Sequence, residues 1–479
     1  MSKKLTPTFN INIPKILTDT EDIIRLFFKD YKRGTQGDFF IDQAITFESD
    51  LVISVIKTDF SGESQEFTDT QQFLYVKGSL DYLKYLKRFA KNALYRVLKS
   101  LTGKILPWGS VTGVRPTRLA YELKESGIEE NNIESILQKD FDIFPSKSRI
   151  LNQILKAQEG IYTVDKNAVN LYVNVPVCTT RCSYCSFISS ELKRCQNLLD
   201  KYSELVSQEI KYCLELLQSQ NKYIRTVYIG GGTPTSLDIM QLDKILSVIP
   251  KNTLEFTVEA GRPDTITKEK LDLLASHNVT RISINPQTFS DKVLKAIGRE
   301  HSTQDVIEAY NLTKQNYNFV INMDLIAGLP EDDFDGFKDT INKTLVLRPD
   351  NITVHTLALK NGSVLKQQDY NNLVLIDDMV DFAYNRITQS GYTPYYLYRQ
   401  KNMLGNLENT GYCLPNKQCI NNIDTMEESI SVIACGAGAI SKCLFGGGRI
   451  ERSPNVKHID EYISRFDEML KRKSDLFQI

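Results

Sequence analysis

The sequence lacks the segments that mark secreted or membrane proteins. It has no run of about 18 apolar residues, the shortest that suits a membrane helix, and no apolar stretch follows the two lysines near its start. It also lacks an excess of either charge: 58 basic and 59 acidic residues give a formal net charge of −1, which argues against a non-specific polyanion binder. We therefore predict a cytoplasmic protein with no membrane span and no nucleic-acid partner.

Cysteine is missing from the first part of the chain. All nine cysteines lie at position 178 or later, and they are an odd number with uneven spacing. In a reducing compartment such cysteines are metal ligands or buried thiols more often than disulfides. This distribution points to a metal site in the second part of the chain.

The pattern of apolar residues changes along the 479 residues, a length for which two or three domains are expected. Residues 1–165 combine strand-like segments with a helical apolar stripe, which predicts an N-terminal α+β domain. Residues 166–365 alternate strand and helix patterns six times, and this requires parallel strands with helical crossovers. We predict an open (β/α)6 partial barrel, covered by a smaller C-terminal α/β domain at 366–479. The predicted barrel strands are Asn170–Val175, Thr226–Ile229, Leu254–Glu259, Arg281–Ile284, Val320–Ile326 and Asn351–His355.

Three cysteines follow directly on the first predicted barrel strand, as Cys178-x3-Cys182-x2-Cys185. Zinc sites usually have four protein ligands. A [4Fe–4S] cluster normally takes four thiolates, so three of them leave one iron with an open position for a small molecule. We predict that the three cysteines hold a [4Fe–4S] cluster, which chelates S-adenosylmethionine (SAM) and splits it to a radical.

Other interpretations stay open from the spacing alone. Cys195 would complete a closed zinc site with the three cysteines. The loop Pro107–Arg118, which holds the only Trp, either binds an anion or packs between two helices. The remaining closely spaced pairs, which suit a second metal site or buried thiols, are Cys413-x5-Cys419 and Cys435-x7-Cys443.

A polar or glycine feature ends or follows each predicted strand, where barrels of this kind carry their function. Glycines let a ligand approach the backbone, and we predict that Gly230–Gly232 accepts the amino group of SAM. Glu259 and Asp324 suit ribose hydroxyls or an ammonium group, or are surface acids. Arg299 suits a carboxylate, or caps a helix. His355 suits a substrate carboxylate or the core. The features in strand order are the cysteine loop, Gly230–Thr235, Glu259, Gln287, Asp324 and His355.

These motifs resemble those of a known family, the radical SAM enzymes of the oxygen-independent coproporphyrinogen III oxidase (dehydrogenase) family. Three further segments resemble the HemZ-type branch of this family, namely Pro107–Arg118, Val258–Asp264 and Tyr396–Met403. The resemblance implies oxidative decarboxylation of coproporphyrinogen III to protoporphyrinogen IX, in haem biosynthesis. It further implies two SAM molecules and a reduced flavodoxin or ferredoxin-type electron donor. The motifs that carry it are Tyr172–Phe187 with the cysteines, Gly230–Thr235, Glu259, Gln287, Arg299 and Asp324–Pro330.

The resemblance also implies which residues contact SAM. The cluster-bound molecule would be contacted by Tyr172, Gly231 and Glu259. The residues that would line the second molecule are Gly232, Thr233, Gln287, Arg299, Asp324, Ala358 and Ile440.

Two positions depart from the pattern of the enzymes in this family. Phe187 stands where the well-studied enzymes carry a fourth cysteine, and the related haem-chaperone branch also has Phe there. Asn174 replaces a histidine of the enzyme branch. Three other hypotheses therefore stay open: a haem chaperone, a radical SAM enzyme that acts on another tetrapyrrole, and a binding protein with a structural zinc.

Overall fold

The computed structural model describes residues 6–34, 39–60, 62–186, 190–359, 363–367, 375–400, 403–446 and 449–478. Two compact units make up the chain, one from Met1–Pro116 and Ala120–Asn152 and the other from Thr117–Leu119 and Gln153–Ile479. The segments predicted as a barrel domain and a C-terminal domain thus fall in one unit. No helix in the described ranges is long and apolar enough to cross a membrane.

The first unit is built on a five-stranded sheet with the order β2-β1-β3-β4-β5, in which β1 runs parallel to both neighbours and β3, β4 and β5 form an antiparallel meander. Its strands are β1 (Thr8–Ile11), β2 (Lys32–Arg33), β3 (Phe40–Glu48), β4 (Leu51–Phe60) and β5 (Glu63–Gln72). The helices are α1 (Leu17–Phe27), α2 (Leu80–Thr102), α3 (Pro116–Glu125), α4 (Glu130–Phe141) and α5 (Pro145–Ala157), of which α3 and α5 also include residues of the second unit.

The loop around the only tryptophan is packed within the first unit. Trp108 is fully buried. Gly109 has a φ of +50°, and a Cβ there would lie 1.9 Å from the Phe141 carbonyl oxygen. The same carbonyl accepts the backbone N–H of Ser110. These contacts support the packing-loop interpretation of this segment.

The second unit contains an eleven-stranded sheet with the order β14-β15-β13-β12-β11-β10-β9-β6-β16-β17-β18. The strands of this sheet are β6 (Ala168–Val175), β9 (Tyr223–Gly231), β10 (Glu255–Glu259), β11 (Arg281–Ser283), β12 (Val320–Ala327), β13 (Asn351–Thr356), β14 (Thr393–Tyr398), β15 (Asn409–Cys413), β16 (Ser431–Cys435), β17 (Ile440–Phe445) and β18 (Arg449–Pro454). Two short strands, β7 (Val177–Cys178) and β8 (Ser190–Glu191), pair with each other in a separate sheet.

Helices connect and cover these strands. They are α6 (Leu192–Cys195), α7 (Leu199–Gln218), α8 (Ile239–Leu246), α9 (Lys268–Ser276), α10 (Asp291–Ala296), α11 (Thr303–Asn316), α12 (Phe334–Leu347), α13 (Val364–Gln367), α14 (Ile376–Gln389), α15 (Ile420–Glu427), α16 (Ile459–Ser464) and α17 (Phe466–Phe477). Two of the crossover helices begin at caps that the sequence encodes: α8 and α11 each start with a capping box, at Asp238 and Ser302.

The predicted partial barrel is confirmed. Strands β6, β9, β10, β11, β12 and β13 pair in parallel with helical crossovers, in the order expected from the sequence. The C-terminal region extends this same sheet at both edges, because β16 adds in parallel to β6 and β15 adds antiparallel to β13. The parallel strands are short and mostly buried, and their β-branched and apolar residues are interrupted by polar ones such as Asn322 and Asp324. Their carboxyl ends form one rim.

Candidate functional site

The three predicted cluster ligands lie in one short loop after the first barrel strand. Cys178 ends β7, and the backbone N–H of Cys185 donates to the Cys182 carbonyl at 3.1 Å. These three cysteines are partly exposed, whereas the other six are buried. Within the described ranges, no three His, Cys, Asp or Glu side chains are close enough to hold a metal ion as they stand. Ligation by the three thiols therefore stays a prediction, and Phe187 lies outside the described residues.

Cys195 is placed against its own helix. Its Sγ lies 3.5 Å from the Glu191 carbonyl oxygen and 3.8 Å from that of Leu192. Burial raises the pKa of this thiol. A thiol that donates to backbone and resists ionisation is a poor metal ligand, so the closed zinc site is not supported.

The later cysteines are also buried thiols. The Cys419 thiol donates to Glu255 Oε1 at 3.0 Å, and burial raises its pKa well above the ordinary value. Burial likewise raises the pKa of Cys413 to about 12. Cys435 Sγ lies 3.7 Å from Cys213 Sγ rather than against another predicted ligand. These contacts support the buried-thiol interpretation over a second metal site.

The glycine loop after β9 fits tightly against the backbone that leads to the first cysteine. A Cβ on Gly231, whose φ is +112°, would lie 2.2 Å from Asn174 Oδ1. A Cβ on Gly232 would lie 2.4 Å from the Val177 carbonyl oxygen. The same carbonyl accepts the Thr233 N–H at 2.7 Å. Packing of the protein on itself already requires these glycines, and the predicted contact with SAM stays a prediction.

Glu259 stands beside the glycine loop and two stacked tyrosines. Tyr228 donates its hydroxyl to Glu259 Oε1 at 2.6 Å, and its ring stacks on that of Tyr172 at 6.1 Å. A Cβ on Gly230 would lie 2.9 Å from Glu259 Oε2. The residues predicted for the cluster-bound SAM, Tyr172, Gly231 and Glu259, are therefore brought together around Tyr228, which the sequence reasoning did not identify.

The pKa of Glu259 is raised to about 7, chiefly by burial and further by the negative charge of Asp324. The ordinary pKa of a glutamate is 4.5, so between pH 4.5 and about pH 7 the folded chain keeps a proton on Glu259 that the unfolded chain has lost. The stability that this proton provides is complete below about pH 4.5 and is lost as the pH rises through about 7. The apo protein should therefore lose stability progressively between about pH 4.5 and about pH 7, and the loss should level off above that range.

Thermal melts of apo wild type and Glu259→Gln across this pH range test the assignment. The variant carries a permanently neutral side chain of the same size, so its melting temperature should fall less than that of wild type. Parallel pH profiles for the two proteins would contradict the raised pKa.

Asp324 differs from Glu259 in its charge state. Burial opposes ionisation of Asp324, but contacts with His355 and Asn322 outweigh it and lower the pKa of the carboxyl. Asn322 Nδ2 donates to Asp324 Oδ1 at 2.8 Å, and His355 Nε2 lies 3.7 Å from the same oxygen. The Tyr398 hydroxyl lies 3.4 Å from His355 Nδ1 on the other side of the ring. The rim thus presents one carboxyl that is ionised near neutral pH and one that titrates there.

Gln287, Arg299 and Asp324 are joined through Asn285. Asn285 Oδ1 accepts the backbone N–H of Asp324 at 3.1 Å, and its carbonyl accepts Arg299 Nη1 at 2.6 Å. The Gln287 N–H donates to the Asp324 carbonyl at 2.9 Å, with a φ of 66° at Gln287. Gln287 Oε1 and Arg299 Nε are buried and have no hydrogen-bond partner in the described structure. Unsatisfied buried polar atoms such as these suit a polar ligand.

Arg299 also faces the cysteine loop. The side chains of Tyr184 and Cys182 lie against its buried guanidinium. Burial lowers the pKa of Arg299, but these two groups outweigh burial, so the pKa is raised overall. This contact places a positive charge beside the predicted ligand Cys182. The predicted ligand loop and the predicted second set of SAM contacts therefore meet at Arg299.

Ala358 and Ile440 lie at the margins of this arrangement. Ala358 follows β13 and forms an isolated bridge with Met403. Ile440 begins β17, and its side chain is 53% exposed. The loop before Ile440 reaches the end of β6, because Asn174 Nδ2 donates to the carbonyl of Ala437. The roles of Ala358 and Ile440 stay predictions.

Comparisons with known proteins agree with this geometry. Residues 173–342 match the family model of the Radical SAM superfamily. The oxygen-independent coproporphyrinogen-III oxidase-like protein HemZ of Bacillus subtilis is 35% identical over 96% of this chain and 95% of its own length. The heme chaperone HemW of Escherichia coli is 28% identical over 60% of this chain and 74% of its own.

A solved structure shares the fold. The coproporphyrinogen III oxidase HemN from Escherichia coli, a radical SAM enzyme, superposes with a TM-score of 0.52 over 66% of this chain and 72% of that chain, at 22% identity. At this identity the likeness supports the architecture of the barrel.

Proposed function

The chain belongs to the radical SAM family of oxygen-independent coproporphyrinogen-III oxidase-like proteins, and from this premise we propose that it oxidatively decarboxylates coproporphyrinogen III. The observation that carries the proposal is the match to HemZ along 96% of this chain. Heme chaperones such as that of Escherichia coli match over only 60% of it. The product would be protoporphyrinogen IX, a precursor of haem.

Membership of the radical SAM superfamily implies a [4Fe–4S] cluster and SAM. The residues present suit the cluster and SAM, because the three loop cysteines are the partly exposed ones and the Arg299 guanidinium lies beside Cys182. When bound, the cluster supplies the electron that splits SAM into methionine and a deoxyadenosyl radical. We propose Cys178, Cys182 and Cys185 as its ligands, with a reduced flavodoxin or ferredoxin-type donor in the cytoplasm.

The protein groups around the rim would orient SAM and substrate. We propose that Tyr172, Gly231 and Glu259 contact the cluster-bound SAM. Glu259, with its pKa of about 7, can ionise when it meets the SAM ammonium group. The residues proposed to line a second SAM are Gly232, Thr233, Gln287, Arg299, Asp324, Ala358 and Ile440.

Two of the propionate side chains would become vinyl groups, each by the same steps. The β-carbon loses one hydrogen atom to the radical, the carboxylate leaves as carbon dioxide, and one electron passes to an acceptor. Two such events convert one coproporphyrinogen III, so two deoxyadenosines should form for each product molecule.

An anaerobic assay tests this function. Reconstituted protein is mixed with SAM, dithionite, a one-electron acceptor and coproporphyrinogen III, and the tetrapyrroles are read by mass spectrometry. Loss of one and then two carboxyl groups, with 5′-deoxyadenosine formed, is the expected result. Deoxyadenosine without decarboxylation would indicate a radical SAM enzyme that acts on another tetrapyrrole.

A second candidate is a haem chaperone. Two observations favour it: several relatives are named heme chaperones, and Phe187 replaces the fourth cysteine. A chaperone would bind haem stoichiometrically and tightly, and would not turn over SAM with coproporphyrinogen III. The same assay, followed by haem titration, separates it from the decarboxylase.

Asp324→Asn should weaken SAM binding. The variant keeps the size of the side chain but removes its negative charge. That charge would strengthen a hydrogen bond from a ribose hydroxyl or from the ammonium group of SAM. We expect a loss of about 1.5–3 kcal/mol, the usual cost of a hydrogen bond to a charged group. Calorimetric titration of the anaerobic holoprotein with SAM measures it, and an unchanged affinity would remove Asp324 from the SAM site.

A further inference from the structure

The spacer between the first two cysteines, residues 179–181, is fastened by an ion pair in the loop after β10. Arg262 Nε lies 3.0 Å from Asp264 Oδ1, and the Arg262 side chain is only 3% exposed. Thr179 donates its hydroxyl to Asp264 Oδ2 at 3.0 Å. Arg262 Nη1 donates to the Thr180 hydroxyl at 2.9 Å. The four side chains close a ring of hydrogen bonds between the spacer and the barrel.

We propose that Arg262 and Asp264 form a clamp that fixes the spacer so that Cys178 and Cys182 reach the same cluster. The inference rests on the proposed function, because it takes these cysteines as cluster ligands. Arg262 and Asp264 are positioning residues, which act through the two spacer threonines.

The clamp has a rigid base. Pro263 and the following residues form a single 3-10 turn, Pro263–Thr265, and the Thr265 hydroxyl donates to the Arg262 carbonyl at 2.8 Å. The Thr265 hydroxyl also lies 2.6 Å from that of Thr235, at the end of the glycine loop. The clamp therefore links the cysteine loop to the same segment that packs against Val177.

The partners of the clamp on its other sides are buried. The His301 side chain is fully buried, and its Nδ1 lies 3.7 Å from Asp264 Oδ1. Thr180 donates its hydroxyl to the Gly298 carbonyl at 3.4 Å, and the Ser183 N–H donates to the Ile297 carbonyl at 3.0 Å. The spacer is thus held between the loop after β10 and the segment after α10.

The chemistry of the pair explains why arginine stands at position 262. Its Nε and Nη2 both donate to the Asp264 carboxylate, at 3.0 and 3.3 Å, and its Nη1 remains for Thr180. A planar guanidinium satisfies this fork, and a lysine ammonium does not. Because the clamp restricts the conformations of the spacer, it should lower the conformational entropy that cluster assembly costs.

Three variants test the clamp: Arg262→Lys keeps the charge, Asp264→Asn keeps the shape, and Thr179→Val removes one hydroxyl from a partly exposed residue. Asp272→Asn is the control, since its carboxylate pairs with Lys268 on exposed α9, away from the spacer. Outer-shell partners of metal ligands typically contribute 10–100-fold to affinity. We therefore expect each clamp variant to lose iron to a chelator about 10-fold faster than wild type, and to show an altered electron paramagnetic resonance spectrum of the reduced cluster.

A second readout uses the apo protein. Alkylation of the loop thiols, located by mass spectrometry, should be several-fold faster at Cys178 and Cys182 in the clamp variants and unchanged in the control. Melting curves show whether each variant is folded. If Arg262→Lys and Asp264→Asn do not fold, Thr179→Val alone provides the test. The clamp would be overturned if Thr179→Val and the folded variants of Arg262 and Asp264 lost iron, gave spectra and were alkylated as wild type is.

The two readouts separate this inference from the proposed function. If wild type assembles no [4Fe–4S] cluster, the cofactor assignment fails, and with it the role of the clamp in ligation. If wild type assembles the cluster but does not decarboxylate coproporphyrinogen III, the clamp is still decided by iron loss and alkylation.

Discussion

Cys182→Ala should abolish both cluster assembly and SAM cleavage while the chain stays folded. The variant leaves two of the three predicted thiolates, and two are too few to hold a site-differentiated [4Fe–4S] cluster. Cys182 is partly exposed, so we expect a change in unfolding free energy below about 1 kcal/mol. Iron and acid-labile sulfide per chain, together with the rate of 5′-deoxyadenosine formation, measure the effect. We expect the rate to fall to background.

Cys195→Ala is the matched control for this experiment. It removes a thiol from the same stretch of chain, but one that donates to the Glu191 carbonyl within a helix. The control should retain full cluster content and SAM cleavage. If Cys182→Ala still cleaved SAM at the wild-type rate, or if Cys195→Ala lost the cluster, the assignment of the three ligands would be wrong.

Gly232→Ala should have the second large effect. Its new methyl group would lie 2.4 Å from the Val177 carbonyl oxygen and 2.8 Å from the backbone nitrogen of the same residue. Backbone atoms cannot rotate away as a flexible side chain can, so the strand before Cys178 must move. Overpacking of this kind costs roughly 3 kcal/mol or more. We expect a lower melting temperature and loss of the cluster in the fraction that folds.

Gly113→Ala provides the comparison for Gly232→Ala. A Cβ at Gly113 meets no atom within 4 Å. That substitution should leave stability within about 1 kcal/mol of wild type. Similar melting temperatures and iron contents for the two alanine variants would show that β9 does not pack against Val177 as described.

The barrel was predictable because its signals are local. Each parallel strand is a short segment rich in apolar residues, and residues with distinct chemistry stand at or near its carboxyl end, such as Glu259 at the end of β10 and Asp324 within β12. These carboxyl ends meet at one rim by topology alone. Order along the sequence was therefore enough to place the predicted residues on the same side of the sheet.

The elements that were missed depend on long-range contacts. In β3, the buried Gln43 interrupts the apolar alternation, and its amide nitrogen donates to the Ser54 hydroxyl and to the Ala90 carbonyl. In β5, an edge strand, the side chains are polar and mostly exposed. The pairing of β16 with β6 joins segments far apart in sequence, and no local pattern encodes it.

The site residues that were missed lie one step inside the rim. Tyr228 and Asn322 each stand two positions before a predicted residue on the same strand, Gly230 and Asp324, and so share its face. That period of two was the available signal. Asn285 carried no such signal, since it joins Asp324 to Arg299 only once β11 and β12 pair.

The cluster assignment is best tested by anaerobic reconstitution of the wild-type chain, followed by iron, zinc and sulfide analysis and by electron paramagnetic resonance spectra with and without SAM. We expect about four irons and four sulfides per chain, a reduced-cluster spectrum that SAM perturbs, and formation of 5′-deoxyadenosine. Zinc without acid-labile sulfide, or a cluster whose spectrum SAM leaves unchanged, would contradict the assignment.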